Sequence, residues 1–348
     1  MAIVVRRVRL DSDQEDLIGF LQANLPSTPH GRRFRWVYHE NPDGRAWSWF
    51  ACDTAARRIA GVASLFPRSM WVGSSPRTCG QVGDFAIDAR YRSLGPAVLL
   101  QRATFEPVDE GILSFCYDCP PHGAGMSTFR RIGMKANCAM RRYARPLRVD
   151  RQVEKRIGRR FWTGPVAAAG NLLLRVRLLA GHSSYGLEIV EHTGRFDEEF
   201  SKLDEKLAMK AHPSIRGRRQ AAILNWRYRD DPLQEYCVLT ARAAGELVGF
   251  LVISKGAQDA TITDVRGLPE VAEALLEAAV QYCNRCSIQT VCAVLSDENE
   301  LAHTLREAAF RVRSTSCHIV AYSGHSTVEP ELSSGALHWQ FQKSEITA

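Results

Sequence analysis

A seven-residue pattern occurs twice in this chain and constrains its fold more than any other feature. Trp36-Val-Tyr38-His-Glu-Asn41-Pro42 matches Trp226-Arg-Tyr228-Arg-Asp-Asp231-Pro232 at an offset of 190 residues. Ile59-Ala-Gly61-Val62 matches Leu247-Val-Gly249-Phe250 at an offset of 188. The order of predicted elements repeats around both matches. A strand and a helix come first, then a short aromatic helix that stops at Asn41-Pro42 or Asp231-Pro232, then two paired strands. A third strand, a helix, a fourth strand, a short helix and a last strand complete each copy. This reads as a tandem duplication, with a single large mixed sheet as the alternative.

The expected class is therefore α/β, a mixed α+β sheet, in two tandem domains that are each a mostly antiparallel twisted sheet flanked by helices. The boundaries fall at 1–150, a basic and apolar linker at 151–185, a second domain at 186–325 and a polar, irregular tail at 326–348. In the first domain the strands are expected at Ile3–Leu10, Trp47–Cys52, Ile59–Phe66, Val82–Ile87 and Leu113–Tyr117. Helices are expected at Asp11–Asn24, Ala97–Val108 and Gly125–Arg131. At 348 residues, either half is long enough to bury a core without metal or disulfide staples.

Charge is uneven. The net is +7, but Arg130–Arg177 holds fourteen Lys/Arg against two acids, a local +12. A basic excess confined to one stretch argues against nucleic-acid binding over the whole surface. Residues 151–181 read as a solvated linker, or as a contact for an anionic membrane surface or an acyl carrier protein. The stretch Gly164–Gly181 is interrupted by Arg175 and Arg177, which argues against a membrane-spanning helix. The opening residues lack the apolar core of a signal peptide, so a cytoplasmic location is the expectation. Ten cysteines in such a chain read as free thiols. The pairs Cys116/Cys119 and Cys283/Cys286 lie too far apart for a compact zinc site, so no metal is expected.

The chemically informative segment is Val82-Gly-Asp84-Phe85-Ala86-Ile87-Asp-Ala-Arg-Tyr-Arg92-Ser93-Leu94-Gly95-Pro96-Ala97-Val-Leu-Leu100. It reads as a strand, a tight turn and an amphipathic helix. Gly95 lets backbone come close to a ligand, and Ala97 keeps the turn open. The helix start offers free N–H groups and the positive dipole end to an anion, and Arg92 adds charge-assisted bonds. These are the parts of a diphosphate cradle.

The Arg92-x-x-Gly95-x-Ala97 turn after a strand resembles the acyl-CoA-binding motif of the GNAT superfamily of N-acyltransferases. Phe129-Arg-Arg-Ile-Gly133-Met134 is similar to that family's later aromatic-to-Gly segment. The resemblance covers about 150 residues well, and the rest through the duplication. It implies that acetyl-CoA or another acyl-CoA binds at Phe85, Ala86, Ile87 and Arg92–Ala97, the strand pairing with the pantetheine arm. It implies direct transfer of the acyl group to an amine of a small metabolite, amino sugar or peptide. By the same resemblance Asp84 is the candidate base. Phe129 stands where the family often has a tyrosine acid, so Tyr117 and His122 are the candidate substitutes. Trp36, Tyr38 and Asn41 would border the acceptor, their other reading being core. Pro96 departs from the motif and removes one N–H, although proline suits a first helical turn. The second half has no equivalent loop: Asp264-Val-Arg-Gly-Leu-Pro269 leads almost directly into a helix, so one cofactor site is expected. Two other readings stay open: a degenerate, non-catalytic binding protein, and an aminoacyl-tRNA-dependent transferase of cell-wall type.

Overall fold

The computed structural model describes residues 3–92, 94–120, 124–150, 186–210, 213–324 and 337–346, with Val153 and Ala168. The basic stretch 151–181 is otherwise outside the described residues, as are Ser93 and His122.

Strands in the first half are β1 (Ile3–Arg7), β2 (Trp47–Asp53), β3 (Arg58–Val72), β4 (Ser75–Ile87), β5 (Phe115–Asp118) and β6 (Cys138–Pro146). The second half supplies β7 (Glu188–Glu191), β8 (Ser214–Gly217), β9 (Tyr236–Ala243), β10 (Glu246–Lys255), β11 (Asp259–Gly267), β12 (Thr290–Ser296), β13 (Arg311–Tyr322) and β14 (His338–Trp339). They form one sheet in the order β1-β2-β3-β4-β5-β13-β6-β12-β11-β10-β9-β7, with β8 pairing β3 and β14. The order is a palindrome of the two repeats. Each half places its last strand in the other half's sheet, and β6 and β13 meet antiparallel at the centre. Duplication and one continuous mixed sheet are thus both present.

Helices cover both faces in each half. On one face of the first half lie α1 (Gln14–Asn24) and α2 (His30–Phe34), over Phe50, Val62, Phe66 and Ala86. On the other lies α3 (Leu94–Ala103), over Ala51, Ala63, Leu65 and Val82. Short α4 (Glu106–Asp109) and α5 (Ala124–Arg131) follow it. In the second half α6 (Glu198–Lys210) and α7 (Ala221–Tyr228) cover one face, and α8 (Pro269–Arg285) with α9 (Leu301–Glu307) covers the other. Alternation along each strand sends successive side chains to these two layers. Each fully buried Phe or Leu contributes about 1.5–3 kcal/mol.

The repeated glycines have a packing reason. A Cβ on Gly61 would lie 2.5 Å from the Ile87 Cδ1 and 2.8 Å from the Leu100 Cδ1 on α3. On Gly249 it would lie 2.5 Å from the Val271 Cγ1 on α8 and 2.7 Å from the Arg266 carbonyl. At Gly249 the backbone contact leaves no room for a side chain, whereas at Gly61 the Ile87 and Leu100 methyls would have to move.

The tail differs from the irregular segment expected. Residues 337–346 enter the core: Trp339 and Phe341 are buried, β14 pairs β8, and a short 3-10 turn spans Lys343–Glu345. Polar composition misled here because Gln340, Gln342, Ser344 and Glu345 are buried with hydrogen-bond partners instead of being solvated.

Candidate active site

Three strand pairs run parallel among the described residues, and two of them, β4 with β5 and β11 with β12, occupy equivalent places in the two halves. Each of these two pairs separates. The β4–β5 register ends at Val82↔Asp118, and β4 runs on through Gly83–Ile87. The β11–β12 register ends at Ile262↔Ala293, and β11 runs on through Thr263–Gly267. Both halves therefore contain a wedge-shaped opening in the sheet.

The second wedge is filled. Gln342 spans it, its Oε1 accepting from the Val265 N–H at 2.7 Å and its Nε2 donating to the Val265 carbonyl at 2.9 Å. Gln342 also bridges Leu295 on β12, and the Ser296 N–H donates to the Phe341 carbonyl. No described strand pairs with β4 beyond Val82 on the corresponding side. The edge of β4 at Phe85 is the counterpart of Val265. It faces a gap of the kind that the Gln342 amide closes in the other half.

A bulge shapes that edge. The β3–β4 register slips between Val62 and Ser64, and Asp84 adopts φ +45°. A non-glycine residue in the left-handed region is strained, and such bulges re-aim side chains beside functional sites. Asp84 is directed at α2. Its carboxylate takes two bonds from Arg33 Nη1 and one from Nη2, at 3.0–3.3 Å, and the Tyr38 hydroxyl donates to it at 2.7 Å. Both partners of the ion pair are more than nine-tenths buried. Burial, with Asp84 next, pushes the Tyr38 hydroxyl well above the ordinary range, so it stays protonated.

The same unit recurs in the second half. Asp264 on β11 accepts from Arg219 Nε at 2.5 Å and from the Tyr228 hydroxyl at 2.9 Å. Arg219 also donates to Glu345 and Ser344. Burial opposes the Arg219 charge, but Asp264 and Glu345 on either side hold it firmly protonated. Tyr38 and Tyr228 come from the two W-x-Y patterns. The tryptophans meet at the pseudo-twofold axis: Trp36 Nε1 donates to the Trp226 carbonyl at 2.7 Å and Trp226 Nε1 to the Trp36 carbonyl at 2.9 Å. Their rings lie 5.0 Å apart.

Asp118, at the apex of the first wedge, was not singled out from the sequence. It is half-buried, and burial raises its carboxyl to about 7. Tyr117 points to the opposite face, where its hydroxyl donates to the Glu345 carbonyl at 2.9 Å. Burial keeps that hydroxyl protonated. Asn41 is buried, donating to the Pro67 carbonyl and accepting from the Asp43 N–H, which shapes the turn after the aromatic helix. Phe85 and Ile87 are half-buried on the α3 side of β4, whereas Ala86 is buried on the other face. Arg92 and Gly95 are exposed at the start of α3, and Pro96 and Ala97 are buried under it. Arg92 makes no ion pair among the described residues.

A cavity of about 480 Å³ lies between the halves. Arg33, Trp36, Trp226, Asp231, Tyr236 and Lys343 are among its walls. Burial lowers the Lys343 ammonium below the usual lysine value. Asp231 accepts from the Tyr236 hydroxyl at 2.8 Å. Of the sequence-predicted residues, Trp36 reaches this cavity, and Tyr38 and Asp84 stand behind its wall through Arg33. The recurrence of an aspartate on each half's fourth strand was the available signal for Asp264. Nothing in the local pattern marks Arg33, Asp118 or Lys343.

Among the described residues, no group of three or more His, Cys, Asp or Glu side chains is arranged to hold a metal ion. No helix among them is long and apolar enough to cross a membrane.

No family model matches the sequence, and no curated protein matches it. Solved structures do. A GCN5-related N-acetyltransferase from Anabaena variabilis superposes with TM-score 0.65 at 14% identity, over 92% of this chain and 72% of that one. The fold is that of the GCN5-related N-acetyltransferases. A GCN5-related N-acetyltransferase from Kribbella flavida aligns over 92% of this chain and 71% of its own, with TM-score 0.58 and 15% identity. The Saccharomyces cerevisiae N-myristoyltransferase with bound myristoyl-CoA aligns over 92% of this chain and 82% of its own, with TM-score 0.60 and 10% identity. This likeness fixes the GNAT fold across both halves.

Proposed function

We propose that the protein is an acyl-CoA-dependent N-acyltransferase, with one cofactor site in the first half and an amine acceptor in the cavity between the halves. One contrast carries the reading: the β11 wedge is closed by the chain's own amide, while the β4 wedge lies beside the α3 start, Gly95 and Arg92. The residues present fit acyl-CoA. The β4 edge at Phe85 is equivalent to the one that hydrogen-bonds an amide in the other half, and the pantetheine arm is built of amides. Arg92 and the first-turn N–H groups of α3 supply the anion contacts for its diphosphate. When bound, the cofactor supplies an acyl thioester; acetyl is the simplest acyl group.

The chain's own residues have separable tasks in this reading. Asp118 is the base this reading assigns, because burial raises its carboxyl to about 7. It stands at the wedge apex on the α3 side of β5 and not among the cavity walls, so the proton must reach it through the wedge. Asp84, clamped by Arg33 and Tyr38, positions the bulge and the cavity wall. Trp36, Trp226 and Tyr236 form an aromatic wall, and Asp231 offers an anion to an ammonium substrate. The acceptor is an amine of a small metabolite, amino sugar or peptide.

The test is calorimetric titration with acetyl-CoA and longer acyl-CoAs, with Arg92→Glu alongside, followed by an amine panel read by CoA release. Binding lost on Arg92→Glu and turnover with an amine support the reading. Folded protein that binds no acyl-CoA sinks it and favours a non-catalytic binding protein.

A further inference from the structure

The second half holds a second cavity, of about 460 Å³, on the opposite side of the filled wedge. It is bounded by the end of α6, β8, the β11–α8 turn and the start of α9. Its chemistry is cationic. Arg216 and Arg266 form its floor and are 6% and 8% exposed. Lys210 stands at the rim, exposed.

Of the two buried guanidiniums, Arg216 is the poorly neutralised one, while Arg266 has only a long ion pair. Arg216 donates to the Ser214 hydroxyl at 3.1 Å and the Leu207 carbonyl at 3.3 Å, and has no carboxylate in ion-pair range among the described residues. Arg266 donates to the Gly217 carbonyl at 2.8 Å. Its Nε is buried without a hydrogen-bond partner, 3.7 Å from Asp204 Oδ1, which also lacks one. The other Asp204 oxygen is taken by the Trp71 indole and the Arg219 N–H. Burial, and then the neighbouring Arg266, lowers the Arg216 guanidinium to about 10. Two buried like charges destabilise each other, and an anion between them relieves both.

The remaining lining is polar but satisfied. Asn299, Gln340 and Gln342 spend their amides on the Phe341 carbonyl, the Glu300 N–H, the Glu298 carbonyl and the Val265 peptide. The negative charges nearby include Glu300 and Glu270, both exposed, and Asp204 and Asp264, buried behind the floor. His303, at the rim, faces Glu307 at 3.2 Å. Above the floor, α8 starts at Pro269 with no side-chain cap. Its first free N–H groups stay available to an anion.

We propose that this cavity binds a soluble phosphate-bearing small molecule of nucleotide size. It occupies the position that the Arg92–Ala97 turn holds in the first half. The pantetheine path beyond it is closed by Gln342, so the ligand is a phosphate without an acyl arm. The volume lies within the ordinary range of small-ligand pockets, about 300–1,000 Å³. The assignment stands on the second half alone and does not depend on the acyltransferase reading.

The experiment uses full-length protein carrying Arg92→Glu, so that the first-half turn is disabled, and titrates it with ADP and with inorganic pyrophosphate by calorimetry. Binding of either probe is expected. Lys210→Glu should weaken it at least about fivefold, because an exposed charge contact is reversed. Arg216→Gln should weaken it further, about tenfold or more, because a buried charge-assisted contact is lost. Lys210 is exposed, so its variant stays informative if Arg216→Gln fails to fold. Absence of binding in the Arg92→Glu protein, or binding that Lys210→Glu leaves unchanged, would overturn the site.

Discussion

At the scale of single residues, two aspartates near one wedge have been given opposite environments. Asp84 is surrounded by donors and lies against a buried guanidinium; Asp118 is held by burial at about 7. A base of that kind works deprotonated, so turnover should rise with pH through about 7. Asp118→Asn should lower kcat/KM about 10²-fold and remove that limb of the pH profile. Stability should respond in the opposite sense. The folded state holds the Asp118 proton up to about 7, whereas the unfolded chain releases it near the ordinary carboxyl value of 3.8. The protein therefore loses stability as pH rises across that window, and Asp118→Asn should flatten the loss in urea titrations. A turnover limb that survives in Asp118→Asn would assign the base elsewhere. For Asp84 the expectation is structural. Asp84→Ala strands the Arg33 charge in the core, and should cost about 3–5 kcal/mol in urea unfolding.

At the scale of elements, the wedges show how a strand pair is opened and how it is closed. Gln342→Ala would strip both bonds from the Val265 peptide group, a loss of about 1–3 kcal/mol. The same substitution should leave acyl-CoA binding at α3 unchanged, since that site lies in the other wedge. Calorimetry and denaturation on one sample separate the two effects. Arg92→Glu should do the converse, removing acyl-CoA binding without shifting Tm, because Arg92 is exposed and unpaired among the described residues. Most of these elements were legible in the sequence, since strands such as Trp47–Asp53 and helices such as Pro269–Arg285 carry their own periodicity. The W-x-Y repeats gave away the duplication because each copy does the same job at the axis. The tail did not announce itself. Strands of four and two residues at Ser214–Gly217 and His338–Trp339 have too little length for an alternation to register, and their pairing spans more than a hundred residues. Arg33 carries no local mark in the sequence, because its partner Asp84 lies 51 residues away.

At the scale of the whole molecule, the exchange of last strands makes the halves interdependent. Residues 1–150 contain every element of one repeat, and the sequence suggests that they form a domain. In the folded chain, however, β6 lies between β13 and β12, and β5 is flanked by β13. A fragment ending at residue 150 would have to dock β6 on its own β5, in a pairing the full protein does not use. It would also lose the partner of Trp36 and the covering that Ile215, Trp339 and Phe341 give to Phe115 and Tyr117. The full chain is therefore expected to unfold in one transition, with tryptophan fluorescence and far-ultraviolet dichroism changing together. The 1–150 fragment is expected to lack a cooperative transition. Two separated transitions in the full chain, or a fragment that unfolds cooperatively alone, would show that the exchanged strands join two independent domains. The interdependence bears on function as well, because the cavity proposed for the acceptor has walls from both repeats. Arg33 and Trp36 face Trp226 and Asp231 only while the central β6–β13 pair holds the repeats in register. A substitution that weakens that pair should therefore raise KM for the amine before it alters acyl-CoA affinity, and the two constants measured side by side would reveal it.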